Sequence, residues 1–448
     1  MLKKILAVLL ATLSLCASLV PYQALAQTQS SKPNLLFKMT GSNTIGAQLA
    51  PELVKAFLEE KEFIQVRIEP SKIDNEYTVL ALNPSTGQYS SVEIAAHGSS
   101  TGFKALQNLK TDIAMASRSI KESELQALRV LGDLESFESE HVIAIDGLAI
   151  IVHPKNPINE LTITQIAEIF SGKINNWSQV GGKDQPISIH ARDNQSGTWD
   201  TFKSLVLMDD YTLSNNALRY ESNDQLSAMV ARNEYAIGFV GLASVNKAKA
   251  LGVSDHETNS IPPLQITVAT EDYPLSRRLF LYTPQTQQKS IVKEFLNFVQ
   301  STRGQLIVGD IGFVSQTPIA IHVDKHQGPD DYLKITENAQ RLSVNIRFNE
   351  GSSLLDNKAK HDIQRLVDLM SLPEYQNKEL LLVGFGDAKQ TPTRATVLSK
   401  LRAIAVKSRL HENGIQVAPV TGFGHFNPVV SNDGERKLKN QRVEVWLI

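Results

Sequence analysis

Ile187-Ser188-Ile189-His190-Ala191-Arg192-Asp193-Asn194-Gln195-Ser196-Gly197-Thr198 changes character twice within one short run. Its start alternates apolar and polar side chains, the period of a half-buried strand. A polar turn follows, and then Trp199, Phe202, Leu205 and Val206 fall on one helical face. Ser196-Gly197-Thr198 therefore opens a helix whose first backbone N–H groups have no partner inside it and point outward. Arg192, four positions before Ser196, can fork two N–H donors onto an anionic oxygen pair. A strand, a polar turn carrying an arginine and a helix start together make an oxyanion cradle.

The pattern recurs. Leu35-Leu36-Phe37-Lys38-Met39 reads as a strand, Gly41 to Gly46 as a polar turn, and Leu49, Leu53 and Phe57 as the apolar face of a helix. Val92 to Ala96 leads likewise through His97-Gly98-Ser99-Ser100-Thr101-Gly102 into a helix from Phe103 to Leu109. These are α/β units. Three helix N-termini around one cleft suit a dehydrated tetrahedral anion, because burying such an ion without a full shell of donors costs many kcal/mol.

At 448 residues the chain is long enough for two or three domains, each with its own core. Lys3 and Lys4, an apolar run from Ile5 to Leu19, and Ala24-Leu25-Ala26 have the form of a secretory signal peptide over residues 1–26. That run is too short to span a membrane, and nothing later approaches the required length. The sole cysteine, Cys16, lies inside it after Leu15, which disfavours lipid anchoring. The mature chain is therefore expected to have no cysteine and no disulfide, and losing two lysines moves its formal charge from −2 to −4. That balance gives no reason to expect nucleic acid as a partner.

Upstream of the cradle stands Ile169-Phe-Ser-Gly-Lys-Ile-Asn-Asn-Trp177. An I-F-x-G-x-x-x-x-W run before an R-x-x-x-S-G-T loop resembles the periplasmic phosphate-binding proteins of ABC importers, type 2 periplasmic binding proteins, over about residues 34–323. The resemblance implies a two-lobed clamshell within residues 33–323. Lobe one is expected over about 34–147 and 271–323, and lobe two over about 148–270. It implies phosphate contacts from Thr44, Ile45, Ser99, Arg118, Arg192, Ser196, Gly197 and Thr198, no cofactor or metal, and an ABC permease as a further partner. One departure concerns Ala114-Met115-Ala116-Ser117-Arg118. The best-studied branch has a carboxylate near Arg118 that accepts the proton of hydrogen phosphate, although relatives with Ser-Arg here exist. Without that acceptor phosphate loses its clearest advantage over sulfate, unless Asp193 or a backbone carbonyl substitutes. A bland reading of Arg118 is a helix-start charge paired with Glu122. Tyr273-Pro-Leu-Ser-Arg-Arg278 also resembles the family.

Residues 324–334 read as a linker, since His322 to Asp331 is polar and Pro329 interrupts any helix through it. His322 and His326 are four apart, but no third metal ligand follows at a known spacing. Beyond lie a strand Ser343–Phe348, a helix Lys358–Met370, a strand Leu380–Gly386, a helix over 398–411 and a last strand Gln441–Ile448. Gly384-Phe385-Gly386-Asp387, Leu398-Ser399-Lys-Leu-Arg402-Ala403, Gly422-Phe-Gly424 and Asn440-Gln-Arg442-Val-Glu444 resemble the peptidoglycan-binding domain of outer-membrane protein A and its relatives over about 335–448. The resemblance implies an OmpA-like α/β sandwich in which Asp387 and Arg402 hold the ammonium and carboxylate of a diaminopimelate stem peptide, with Arg442 beside them. Gly386 and Ala395 depart from the family's threonine and asparagine, which weakens the expected loop support. A salt bridge on a degenerate domain is the competing reading of Asp387 and Arg402.

Gly41-x4-Gly46 is followed by Ala47-Gln48 where a nucleotide-binding loop needs lysine and a hydroxyl residue, so an ATPase is not expected. Ser196 is not in a Gly-x-Ser-x-Gly setting, and His97 and His190 are the only histidines near the cradle in sequence. A phosphomonoesterase using the same anion site is the enzymatic alternative, and an envelope-structural protein with a vestigial ligand site is another. The main expectation is no enzyme: a periplasmic oxyanion-binding protein held to the wall or outer membrane, for capture, import or sensing.

Overall fold

Alternating burial along Asn34–Gly41 makes it a strand with one face in the core, and its end turns at once into the short helix Asn43–Gly46 and then Leu49–Glu60. The computed structural model describes residues 32–194, 196–286, 289–323, 328–349, 352, 354–388, 391–432 and 435–448. The expected signal peptide, Cys16 and His326 lie outside the described residues.

In the first lobe the strands run in the order Ile64–Pro70, Glu76–Asn83, Gln88–Ala96, Asn34–Gly41, Ile113–Ala116 and Ser276–Tyr282. The second lobe holds Ala236–Gly241, Ser188–Arg192 and Leu218–Tyr220. The long strand Glu140–Val152 joins the two. Up to Gly147 it pairs with Ser276–Tyr282, and from Leu148 onward with Ala236–Gly241, so the change of partner marks the crossover between lobes. The chain returns through the helix Gln265–Ala269 and the turn that follows. Phe37, Phe57, Phe295 and Phe298 pack together under the first lobe, and Phe170, Phe202 and Phe239 under the second, with Phe202 stacked on Phe239 at 4.0 Å. Trp177 is buried with them and donates its ring N–H to the Tyr235 carbonyl at 3.0 Å. The Ile169–Trp177 run is thus core and turn of lobe two. Truncating one of these rings to alanine would cost about 3–5 kcal/mol.

The C-terminal sheet runs Ala320–Ile321, Gln340–Arg347, Arg442–Leu447, Leu380–Gly384, Thr421–Gly422. The helices Asn357–Met370 and Pro392–Glu412 cover one face through Ile363, Leu366, Ala403, Val406 and Leu410. Gly384 lets the longer helix lie directly on its strand, since a Cβ there would come within 2.0 Å of the Ser399 carbonyl oxygen. The other face is covered by the helix Asp330–Thr336, whose Tyr332 meets Phe385, Phe423 and Trp446 edge-on and donates to Glu444 at 2.8 Å. The second half of the expected linker is therefore a packed helix. It starts directly after Pro329, with Asp330 and Asp331 in its first turn, where acidic side chains favour the helix dipole.

The two parts interlock through buried charge. Thr270, at the return crossover, accepts at its carbonyl from Asn345 (3.1 Å) and Arg347 (2.9 Å). Glu271 meets Arg278 at 2.9 Å and Arg347 and Lys358 at 3.8 Å each. Burial would raise the Glu271 carboxyl, but Arg278, Arg347 and Lys358 outweigh it and hold it down at about 2. Asp272 accepts from Asn345 at 2.8 Å and faces Arg442 at 3.6 Å. Lys439 donates to the Ser276 carbonyl at 3.1 Å, and Arg278 pairs with Asp356 at 2.8 Å. On lobe one, His361 stacks on Phe137 at 4.5 Å and Arg365 donates to Gln300 at 2.5 Å. Removing one partner of such a buried pair costs about 3–5 kcal/mol.

Candidate functional site

Arg192 ends its strand with its guanidinium fixed by the chain around it. Nε donates to the Tyr220 carbonyl at 3.2 Å, Nη2 to the Glu221 carbonyl at 2.5 Å, and Nη1 to Thr198 Oγ1 at 3.4 Å. Burial lowers its pKa, opposed by the Asp193 and Glu221 carboxylates. Ser196 caps the helix Gly197–Phe202, its Oγ accepting from the amides of Thr198 (3.2 Å) and Trp199 (3.3 Å). Its own hydroxyl hydrogen remains to donate. Thr198 Oγ1 accepts from Arg192 and from Asn223 at 3.3 Å, so its hydrogen too is turned to other acceptors.

The first lobe supplies the opposite wall through the helix Asn43–Gly46. Thr44 Oγ1 reaches the Gly197 carbonyl at 3.2 Å, so the lobes touch across the cleft. Arg277 binds this contact together: Nη2 donates to Thr44 Oγ1 at 2.8 Å and to the Gly197 carbonyl at 3.2 Å, while Nε donates to Asp146 at 3.2 Å. Asp146 also accepts from Thr201 at 2.9 Å. The cavity enclosed is about 370 Å³, and Thr44, Asp146, Arg192, Ser196, Gly197 and Thr198 are among its walls. With water occupying about 30 Å³ in the liquid, that admits a small ion and several waters. Converging hydroxyls, helix-start amides and a buried guanidinium can bind an oxyanion by charge-assisted hydrogen bonds.

In the C-terminal domain, Asp387 and Arg402 are both buried, the first after the strand Leu380–Gly384 and the second on the helix Pro392–Glu412. Arg402 donates to Gln441 at 2.5 Å, and burial lowers its pKa while Asp387 opposes the shift, which puts the two charges in electrostatic reach. The loop after Asp387 is supported by Asn432, which accepts from the Ala388 amide at 3.1 Å.

The family model of the PBP superfamily domain matches residues 66–303. The chain belongs to the PBP superfamily. The OmpA family model matches residues 347–442 of this PBP-superfamily chain. Among curated relatives, the Phosphate-binding protein PstS of Borreliella burgdorferi is 29% identical over 225 residues, 49% of this chain and 77% of its own. Protein SphX of Synechococcus elongatus is 32% identical over 235 residues, 50% of this chain and 68% of its own. A crystal structure described as a possible phosphate binding protein, from Planctomyces limnophilus, has a TM-score of 0.51 at 24% identity, covering 64% of this chain and 94% of that one, and so shows the same fold.

Within this PBP fold the residues expected to contact phosphate divide into two groups. Thr44, Arg192, Ser196, Gly197 and Thr198 come together on the cavity. The Ile45 side chain is in the lobe-one core, leaving its first-turn amide as the group that can serve. Ser99 and Arg118 are not among the lining residues. Ser99 Oγ accepts from the Ser117 amide at 3.1 Å. Arg118 forms a two-pronged pair with Glu124, both bonds 2.8 Å, and donates to Ser100 at 2.9 Å. Its charge is balanced there, by Glu124 and not by Glu122. Burial would raise the Glu124 carboxyl, but the Arg118 bond helps to bring it below its usual value. His97 pairs with Glu76 at 3.0 Å, and His190 sits between Ser188 and Tyr220, its pKa lowered by burial; both lie off the cavity walls.

Arg442 also differs from expectation. It is 1% exposed and bonded to Glu444 at 3.1 Å and to the Asn427 carbonyl at 3.2 Å, with Asp272 of the clamshell 3.6 Å away. Its guanidinium serves the joint between domains. Sequence reasoning missed Asp146 and Asn223, and named Arg277 only as part of the Tyr273–Arg278 run. A signal existed for the first, a lone carboxylate inside the apolar run Val142–Val152, since an unpaired buried charge is costly and must have a cation nearby.

Proposed function

We propose that this chain binds inorganic phosphate between its lobes, outside the cytoplasm, and is held to peptidoglycan by its C-terminal domain. The observation that carries the reading is the fixed Arg192 guanidinium facing a cavity with Thr198 and Ser196 on its own lobe and Thr44 on the other. The PstS relatives support phosphate as the ion. Arg118 being tied to Glu124, Asp146, which lines the cavity together with Asp193 and Glu221, is the carboxylate that accepts the proton of hydrogen phosphate and repels fully deprotonated sulfate. The segment 1–26 directs export and is removed. The wall site grips a diaminopimelate stem peptide through Asp387 and Arg402, and an ABC permease accepts the captured ion.

The test is isothermal titration of the mature chain with phosphate, sulfate and buffer alone. Phosphate should bind, sulfate should bind far more weakly, and Arg192→Ala should abolish the heat. A folded protein that binds neither anion refutes the reading. Equal affinity for both anions removes Asp146 from the account.

A further inference from the structure

The OmpA-family domain holds the machinery of the clamshell rather than hanging from it. The return crossover is gripped from Thr270 to Arg278 by Asn345, Arg347, Asp356, Lys439 and Arg442. Lobe one is clamped as well, through Phe137 and His361, and through Gln300 and Arg365. Lobe two meets the domain at the loop 427–432. Asp255 accepts from the Ser431 amide at 3.2 Å, and beside that contact is a cavity of about 300 Å³ between residues such as Ile261, Leu264 and Ile266 and the opposing Asn427, Pro428 and Val429. A hinge motion that moves lobe two against lobe one must therefore change this crevice.

The loop 427–432 bordering the crevice also supports the wall site. Asn432 holds the Ala388 amide next to Asp387, and Asn440 holds both Asn432 (3.2 Å) and the amides of Val429 (2.9 Å) and Val430 (3.2 Å). Gln441, between Asn440 and Arg442, accepts from Arg402. One face of the loop thus reads the position of lobe two and the other shapes the Asp387–Arg402 pair.

We propose that the chain has a further function as a coupled device, in which anion capture by the clamshell strengthens its hold on the wall peptide through the loop 427–432. This rests on the function proposed above. The sign is part of the proposal: where the lobes touch across the cleft, the loop is bonded on both sides. A ligand that favours closure favours that arrangement, and linkage makes the effect reciprocal.

The experiment uses the full mature chain, inorganic phosphate, and a soluble muropeptide whose stem ends in diaminopimelate. Titrating each ligand with and without saturating amounts of the other should show tightening by about fivefold or more, with the same factor in both directions. Asp255→Ala, and Asn259→Ala, which removes the 3.5 Å contact from Asn259 to Asn427, each checked for folding by circular dichroism, should bring the factor toward one while leaving each ligand's own affinity within threefold. If both ligands bind and neither alters the other's affinity by as much as twofold, the coupling is overturned and the proposed function stands. If phosphate or the muropeptide fails to bind at all, the proposed function falls and the coupling with it.

Discussion

Gly197→Ala isolates lobe closure from every other requirement of the site. A Cβ at position 197 would lie 2.5 Å from Thr44 Cα, 2.6 Å from its Oγ1 and 2.8 Å from its amide nitrogen, two of them backbone atoms that cannot swing aside. Restoring ordinary carbon contact requires the lobes to part by roughly 1 Å. The 3.2 Å contact from Thr44 to the Gly197 carbonyl would then pass out of hydrogen-bond range, and an anion could no longer meet donors of both lobes at their best distances. Losing two charge-assisted bonds at about 1.5–3 kcal/mol each gives roughly 3–6 kcal/mol, on the order of 10²–10⁴-fold in affinity. Folding should not suffer, because position 197 is the first residue of a helix, where alanine is at home. Phosphate calorimetry on the mature variant measures the loss, and thermal unfolding without ligand checks the fold. Binding within threefold of the parent chain would refute the idea that the ion is held by both lobes at once.

Arg277→Ala should weaken phosphate while leaving the Arg192 cradle intact, since it removes the bridge among Thr44, Gly197 and Asp146; calorimetry showing unchanged affinity would rule that bridge out. Asp387→Ala and Arg402→Ala should each leave the full-length protein in the supernatant after sedimentation with diaminopimelate-type peptidoglycan, while the parent chain pellets; pelleting by both variants would exclude the pair as the grip. Acid should destabilise the domain joint in two stages. Desolvation holds His141, on the strand Glu140–Val152, and His361, on the helix Asn357–Met370, at about 4, with Arg365 and His141 adding to the effect on His361, so the folded chain stays neutral there while the unfolded chain gains protons. Stability is therefore lost as pH falls from about 6.5 to 4. Glu271, held at about 2, contributes stability above its unfolded value of 4.5, and that contribution is lost between 4.5 and 2. Melting temperatures across this range check both stages, and a His361→Phe variant should shrink the upper one to the share of His141.

What could be read from the sequence was local. Ser196 as a helix cap, the apolar faces at Leu49, Leu53 and Phe57, and the strand–turn–helix units depend on residues within a few positions of one another, and the structure has them. What could not be read depended on partners brought together by the fold. Arg277 and Asp146 are 131 positions apart, and Arg442 meets Asp272 from another domain. Arg118 shows the same limit at short range: it precedes its helix, so the carboxylate it reaches is six positions away, not the expected four. Arg347 and Lys358 look like ordinary surface charges until the clamshell covers them. The helix Asp330–Thr336 was legible in principle from two aspartates after a proline, but polar composition made the stretch look like a linker.

The joint also bears on how such a chain can be taken apart or recombined. Two recognisable domains in series suggest parts that evolution or a cloning experiment could exchange at the boundary. Here a cut after residue 323 would leave Glu271, Asp272 and Arg278 on one piece and Arg347, Lys358 and Arg442 on the other, every one having lost cross-domain counter-charges. The strand Ala320–Ile321 would stay with the clamshell although its partner strand belongs to the C-terminal sheet. A foreign OmpA-family domain grafted on at this point would have to reproduce the same pattern of charges or leave the crossover of the clamshell exposed. The two halves of this chain are thus constrained to change together, and a substitution at the seam in one is expected to be tolerated only with its complement in the other.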